Sequence, residues 1–263
     1  MFGKRNIIFL IFTFGSTWIL WWLLAYLTYQ EIIVLQDYLG FTLLIMGGSA
    51  PTIGAYVAVA FTKKKGGFKE FNNRVFKLKV HYKYYLYAFL VPILIGVFSL
   101  LIGYFKNAEI FIHHSINSLF IVLSAFIIAI IMGGVEEFGW RGILQAELTK
   151  KYNFFISNIV IGILWAVWHL PLFYILGTGH FENVFLIFLL SCIGYSSFLT
   201  FLYAKTESIF LCVIFHAMIN VAAVVGLSIP LREIFSYFWL SIIMIFIGSF
   251  LLFNIDKQKK DRS

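Results

Sequence analysis

Apolar runs long enough to cross a bilayer recur along this chain from one end to the other. Crossing about 30 Å of hydrocarbon as helix takes roughly 18 or more such residues. Eight runs can be marked, at about residues 6–27, 40–62, 84–105, 116–135, 155–176, 184–204, 208–227 and 233–254. They are continuously apolar and do not alternate in ten-residue segments, which predicts helices and not a barrel. Hydrophobic residues make up 61% of the chain and charged residues 12%, against roughly 25% charge in soluble domains. The expected fold class is therefore all-α: a polytopic membrane helix bundle of about eight transmembrane helices, one integral domain over residues 1–263. The first run follows Lys4 and Arg5 as a signal peptide would. It is too long for an h-region and no A-x-A-like site follows, so it reads as a retained signal-anchor helix.

Charge gives the orientation. The net charge of +8 could suggest nucleic acid, but the charges sit in loops beside apolar spans, where orientation in a membrane explains them. No nucleic-acid partner is expected; the bilayer is. With the N-terminus inside, 18 of the 20 Lys and Arg residues fall on the inner side, and only Lys106 and Arg232 fall outside. Both termini are thus expected in the cytoplasm and the protein in the cell membrane. The block from Lys63 to Lys83 interleaves basic residues with Phe68, Phe71, Phe76, Tyr82, Tyr84 and Tyr85, a mixture suited to an anionic inner leaflet.

Ionisable residues deep in the bilayer cost about 2.5–3.5 kcal/mol each to insert, which makes them candidate functional sites. Those that remain after loops and helix ends are set aside are Glu136, Glu137, Arg141, His169 and His216, joined by the amide of Asn220. Glu136 precedes Lys150 by 14 residues, His169 follows Phe155 by 14, and His216 follows Lys205 by 11. At about 1.5 Å per residue these are depths of roughly 21, 21 and 16 Å from the inner side. Three helices therefore bring polar groups to one level. Glu137 and Arg141 stand at i, i+4 with the acid first, the favourable order for a helical ion pair. Glu136 lies about 100° around the helix, free to face a cavity. Glycines at 133, 134, 139 and 142 allow close helix approach. His216 with Asn220, and Trp165 with His169, repeat the i, i+4 spacing.

A carboxylate and a histidine converging on one point can hold and deprotonate a water. A second histidine and an amide can donate hydrogen bonds to a developing oxyanion. These are the parts of a peptide hydrolase, and no serine or cysteine is clearly placed beside a base. The same residues allow a second arrangement, with Glu136, His169 and His216 as ligands of a catalytic Zn²⁺. No cofactor is favoured; zinc is the alternative.

Three motifs carry a family resemblance: Glu136-Glu137-Phe138-Gly139-Trp140-Arg141, Trp165-Ala166-Val167-Trp168-His169, and His216-Ala217-Met218-Ile219-Asn220. In order, on successive spans, they resemble the E-E-x-x-x-R, F-x-x-x-H and H-x-x-x-N motifs of the CPBP family. These are the CAAX-protease and bacteriocin-processing intramembrane proteases, also called the Abi family. The resemblance places a catalytic core at about residues 116–227. It implies that Glu136 and His169 activate water, that His216 and Asn220 form an oxyanion hole, and that Glu137 pairs with Arg141 structurally. The family's usual Phe is Trp165 here, expected to keep the wall of the site with an altered pocket size. The family is called a metalloprotease family, while its CAAX-processing branch implies metal-free catalysis. The substrate expected is a small membrane-associated protein or peptide.

Other function classes use the same residues differently. Intramembrane Glu and His also build proton relays, but a proton-coupled transporter would show repeats or a polar path across, and the polar residues form one cluster. A non-catalytic bacteriocin immunity protein would not need Glu136. Cys192 and Cys212 lie in apolar runs with no metal or redox spacing and read as packing residues. His81, His113, His114 and His180 read as surface residues, Trp18, Trp21 and Trp22 as packing or interface residues, and Glu182, Glu207 and Glu233 as span edges.

Overall fold

A computed structural model of the chain describes residues 2–62, 67–105, 119–225 and 233–261, with no β-strand among them. Lys63, Lys64, Lys65, Lys106, His113, His114, Arg232 and Arg262 lie outside the described residues, as do the first residues of the fourth apolar run. In chain order the helices are α1 (Lys4–Tyr29), α2 (Tyr38–Gly48), α3 (Ala50–Phe61), α4 (Gly67–Val75), α5 (Tyr82–Phe105) and α6 (Leu119–Met132), then α7 (Phe154–Trp168), α8 (Phe185–Thr206), α9 (Ile209–Val224) and α10 (Ile234–Lys260). Six segments are long and apolar enough to cross a membrane: Lys4–Tyr29, Tyr82–Phe105, Val122–Leu148, Phe154–Tyr174, Phe185–Thr206 and Ile234–Lys260. The α2–α3 pair, bent by 41°, makes a seventh if it is one span. The bend has a cause: Pro51 stands in the first turn of α3, lacks an N–H, and ends the preceding ladder. Helix α9 is apolar but has only 16 residues. With it, the segments match the eight apolar runs of the sequence.

The fourth span departs from a plain α-helix where the motif begins. A 3-10 turn, Gly134–Glu136, is followed by one α turn, Glu137–Gly139. A π-helical stretch follows at Trp140–Gln145, and then Ala146–Leu148. The apolar run of the sequence ends at Val135 because charges follow, yet the span continues to Leu148 with Glu136, Glu137, Arg141 and Gln145 all buried. Such wide turns are rare and concentrate at functional sites.

The basic segments meet at one end of the bundle. Arg5 donates to Thr62 and pairs with Glu147. Lys77 pairs with Glu207, and Ser208 donates to the Lys77 carbonyl. Lys205 bonds Gln258. Helix α4 is amphipathic: Phe71 and Val75 are buried, and Arg74 reaches from it to the Gly142 carbonyl (3.1 Å) and the Tyr203 hydroxyl (2.6 Å). At this same end α7 begins. Its first free amides are all met: Asp256 of α10 accepts from Phe154 N (2.9 Å) and Phe155 N (3.3 Å), and Asn153 Oδ1 accepts from Ile156 N (2.8 Å). A helix terminus with unmet amides is costly. Cys192 and Cys212 are buried free thiols, as expected of packing residues.

Candidate active site

The motif segment is pressed against its neighbours by its glycines. A Cβ at Gly139 would lie 2.8 Å from the Pro51 carbonyl and collide with the Phe9 ring. Only a glycine permits α1, α3 and this segment to approach so closely. Arg141 is fully buried, and its guanidinium is surrounded by acceptors. Nε donates to Glu137 Oε2 (2.8 Å); Nη1 donates to Gln145 Oε1 (3.1 Å), Thr200 Oγ1 (3.0 Å) and the Ser196 carbonyl (3.5 Å); Nη2 donates to Ser196 Oγ (3.2 Å). Gln145 in turn donates to the Thr200 carbonyl. The i, i+4 pair of the sequence is thus one edge of a network that locks the fourth span to α8.

Glu137 has a second partner. Its Oε1 lies 2.8 Å from His216 Nδ1, reaching α9. Spacing predicts one partner for Glu137, whereas here the carboxylate bridges a buried arginine and a motif histidine. Because Nδ1–H is spent on Glu137, His216 Nε2 can donate only when the ring is doubly protonated. That Nε2 faces the turn before the motif: a Cβ at Gly133 would stand 3.0 Å from it and would collide with Asn220 Nδ2. The two donors one turn apart on α9 therefore converge beside the Gly133 backbone.

Glu136, on the other side, is 3% exposed. Its Oε2 accepts from Trp165 Nε1 of α7 at 2.9 Å. One turn later, at the end of α7, His169 Nδ1 bonds the Trp165 carbonyl (2.8 Å), which fixes Nδ1 as the protonated nitrogen and leaves Nε2 as acceptor. Among the described residues no hydrogen bond joins Glu136 to His169 directly. The Trp165 ring also stands edge-on to His216, centroids 5.2 Å apart at 74°, and to His169 at 5.9 Å and 66°. Glu136, His169 and His216 are thus gathered around one indole.

His180 corrects a surface reading. It is half-buried, its ring 6.0 Å from that of His169 at 27° and in edge contact with Phe173 and Phe188. Helix α7 ends at His169, the 3-10 turn Leu170–Tyr174 containing Pro171 redirects the chain, and the following loop returns to the site. Burial pushes the His180 imidazole down to about 4. Further aromatics close the same wall: Trp168 is 4.5 Å and Trp21 6.3 Å from His169, ring to ring. Trp168 Nε1 donates to Thr17, and Trp18 Nε1 to the Trp168 carbonyl, so α1 braces the end of α7.

The donor set of a His₂Glu zinc centre does not close here. Among the described residues no three His, Cys, Asp or Glu side chains are grouped to hold a metal ion.

Sequence reasoning missed Gln145, Ser196 and Thr200. Their signal was present: Gln145 extends the Glu137–Arg141 spacing by one more i+4 step, and Ser196 and Thr200 make a polar i, i+4 pair on α8.

Residues 115–222 match the family described as Type II CAAX prenyl endopeptidase Rce1-like. The chain is similar to CAAX prenyl protease 2 of Methanococcus maripaludis, 30% identical over 234 residues, covering 81% of this chain and 82% of the relative. It is also similar to Lysostaphin resistance protein A of Staphylococcus haemolyticus, 27% identical over 148 residues, covering 56% of this chain and 39% of that protein.

Proposed function

The chain belongs to the Rce1-like family of type II CAAX prenyl endopeptidases, and from that membership we propose that it hydrolyses a peptide bond of a small membrane-associated protein or peptide by Glu/His-activated water. The observation that carries the reading is the gathering of Glu136, His169 and His216 around the Trp165 indole, with Asn220 beside His216 at Gly133.

Glu136 and His169 Nε2 hold a water. Glu136 takes one of its protons while the remaining hydroxide attacks the scissile carbonyl carbon. The carbonyl π electrons move to oxygen, and the resulting oxyanion receives hydrogen bonds from His216 Nε2–H and Asn220 Nδ2–H. The C–N bond then breaks as Glu136 returns its proton to the leaving amine. Glu137 and Arg141 do not touch the reacting atoms: they hold His216 and the fourth span in place. Asn220 is a good hydrogen-bond donor and a poor zinc ligand, which supports the metal-free version of the site.

By analogy with CAAX prenyl protease 2 of Methanococcus maripaludis, the first substrate to test is a prenylated peptide ending in a CAAX sequence. The concentration of Lys and Arg at one end of the bundle supports that end as cytoplasmic, in the cell membrane. Purified protein in proteoliposomes should cleave an internally quenched farnesylated CAAX peptide, and Glu136→Gln should abolish cleavage without loss of folded protein. Terminal-fragment proteomics on cells carrying wild type or Glu136→Gln should then reveal the native substrate. Equal cleavage by both forms sinks the assignment.

A further inference from the structure

The indole of Trp165 does more than line the site. Its N–H donates to one oxygen of the Glu136 carboxylate, Oε2, at 2.9 Å. Its carbonyl holds His169 Nδ1 at 2.8 Å, and its ring packs edge-on against His216. The residue is 5% exposed, so water does not compete for the bond. The phenylalanine of the F-x-x-x-H pattern would keep the carbonyl and most of the ring contact, but it has no N–H to donate.

We infer that Trp165 is a positioning residue, fixing the Glu136 carboxylate through Oε2 so that the other oxygen is presented to the water. The inference rests on Glu136 being the base, and on tryptophan standing here in place of the pattern's phenylalanine, because only the indole supplies the donor. Glu136 ends a single 3-10 turn, Gly134–Glu136, which one α turn and then a wide helical stretch follow, so its backbone is not part of a regular α-helical ladder. A carboxylate on a long side chain keeps one rotamer only when a donor holds it, and a base misplaced by about 1 Å can cost on the order of 100-fold in rate.

Two measurements test it. In protein carrying ¹⁵N-labelled tryptophan, the seven indole N–H signals are few enough to resolve, and the one absent from Trp165→Phe is that of Trp165. It should lie downfield as a bonded N–H in wild type and move upfield in Glu136→Ala. If its position is indifferent to Glu136→Ala, the bond is absent and the inference fails, whatever the enzyme's activity. In the farnesylated-peptide assay, Trp165→Phe should lower kcat about 10- to 100-fold with KM little changed, the pattern of a group acting only in the transition state. Because Phe is smaller, β-(3-benzothienyl)alanine at position 165 serves as the isosteric control, keeping the ring's size and replacing only N–H by sulfur; it should lose kcat as Phe does. Full kcat in the benzothienyl protein, with Glu136→Gln inactive, overturns the inference and leaves the reading of Glu136 intact. Retained activity in Glu136→Gln overturns that reading instead.

Discussion

Replacing Arg141 by alanine should separate the carboxylate that builds the site from the one proposed to work in it. The substitution removes five donated hydrogen bonds and leaves the Glu137 charge facing only His216, with Gln145 Oε1, Thr200 Oγ1 and Ser196 Oγ deprived of their donor. Breaking a buried pair from one side costs about 3–5 kcal/mol. At about 1.4 kcal/mol per factor of ten, that lowers the ratio of folded to unfolded protein roughly 100- to 4,000-fold. Glu136→Gln is nearly isosteric and keeps an oxygen able to accept from Trp165, so its cost should stay below about 1 kcal/mol. The assay is the fraction of monodisperse protein after heating in detergent, read by size exclusion across a temperature series. Arg141→Ala should melt well below wild type, and Glu136→Gln close to it. The double variant Glu137→Leu/Arg141→Met, which leaves no lone charge in the network, should recover much of the stability while staying inactive, because His216 has lost its Nδ1 partner. Should Glu136→Gln prove as unstable as Arg141→Ala, the structural and catalytic carboxylates have been exchanged and the argument fails.

Gly133→Ala should abolish activity at small cost in folding, since its Cβ would occupy the space of the Asn220 amide and crowd His216 Nε2; activity at wild-type level would show that those donors serve no oxyanion. Reporter fusions after residues 30 and 180 should read outside and those after 70 and 260 inside, an inside signal at 180 being the result that breaks the orientation through the motif spans. Activity should persist after exhaustive treatment with a membrane-permeable chelator, and elemental analysis should find well under one zinc per chain. Stoichiometric zinc with loss on chelation and recovery on zinc addition would instead make His169 and His216 ligands.

The long-range plan of the molecule was legible because hydrocarbon is an unforgiving solvent. Each apolar run had to become a helix, and each buried charge had to find a partner. That is why Glu137 and Arg141 could be paired from spacing alone. What spacing could not show was anything depending on the path between helices. The wide stretch at Trp140–Gln145 has no sequence signature of its own, and it is what extends the fourth span beyond its apolar run. The hydrogen bond from Trp165 to Glu136 joins residues 29 apart, on different spans. An aromatic at that position reads as wall until the orientation of its N–H is known. His180 was placed on the surface because a loop residue usually is; Pro171 marked the end of α7, but not the direction of the loop after it. The break at Ser49 was foreshadowed only by Pro51, in a run that otherwise reads as continuous.

The grip of Asp256 on the first amides of α7 has a consequence for how the chain is handled and how it ages. His169 closes the far end of that helix, 15 residues on from Phe154, and a helix behaves as a nearly rigid rod of about 1.5 Å per residue. The carboxylate near the carboxyl end of the chain therefore acts as a datum for the axial height of a histidine roughly 22 Å away. Trimming or nicking the chain ahead of residue 256 would leave every motif residue in place and still release α7 to slide or fray from its lower end. A proteolysed preparation would thus keep its spans and its motifs and yet have its site out of true.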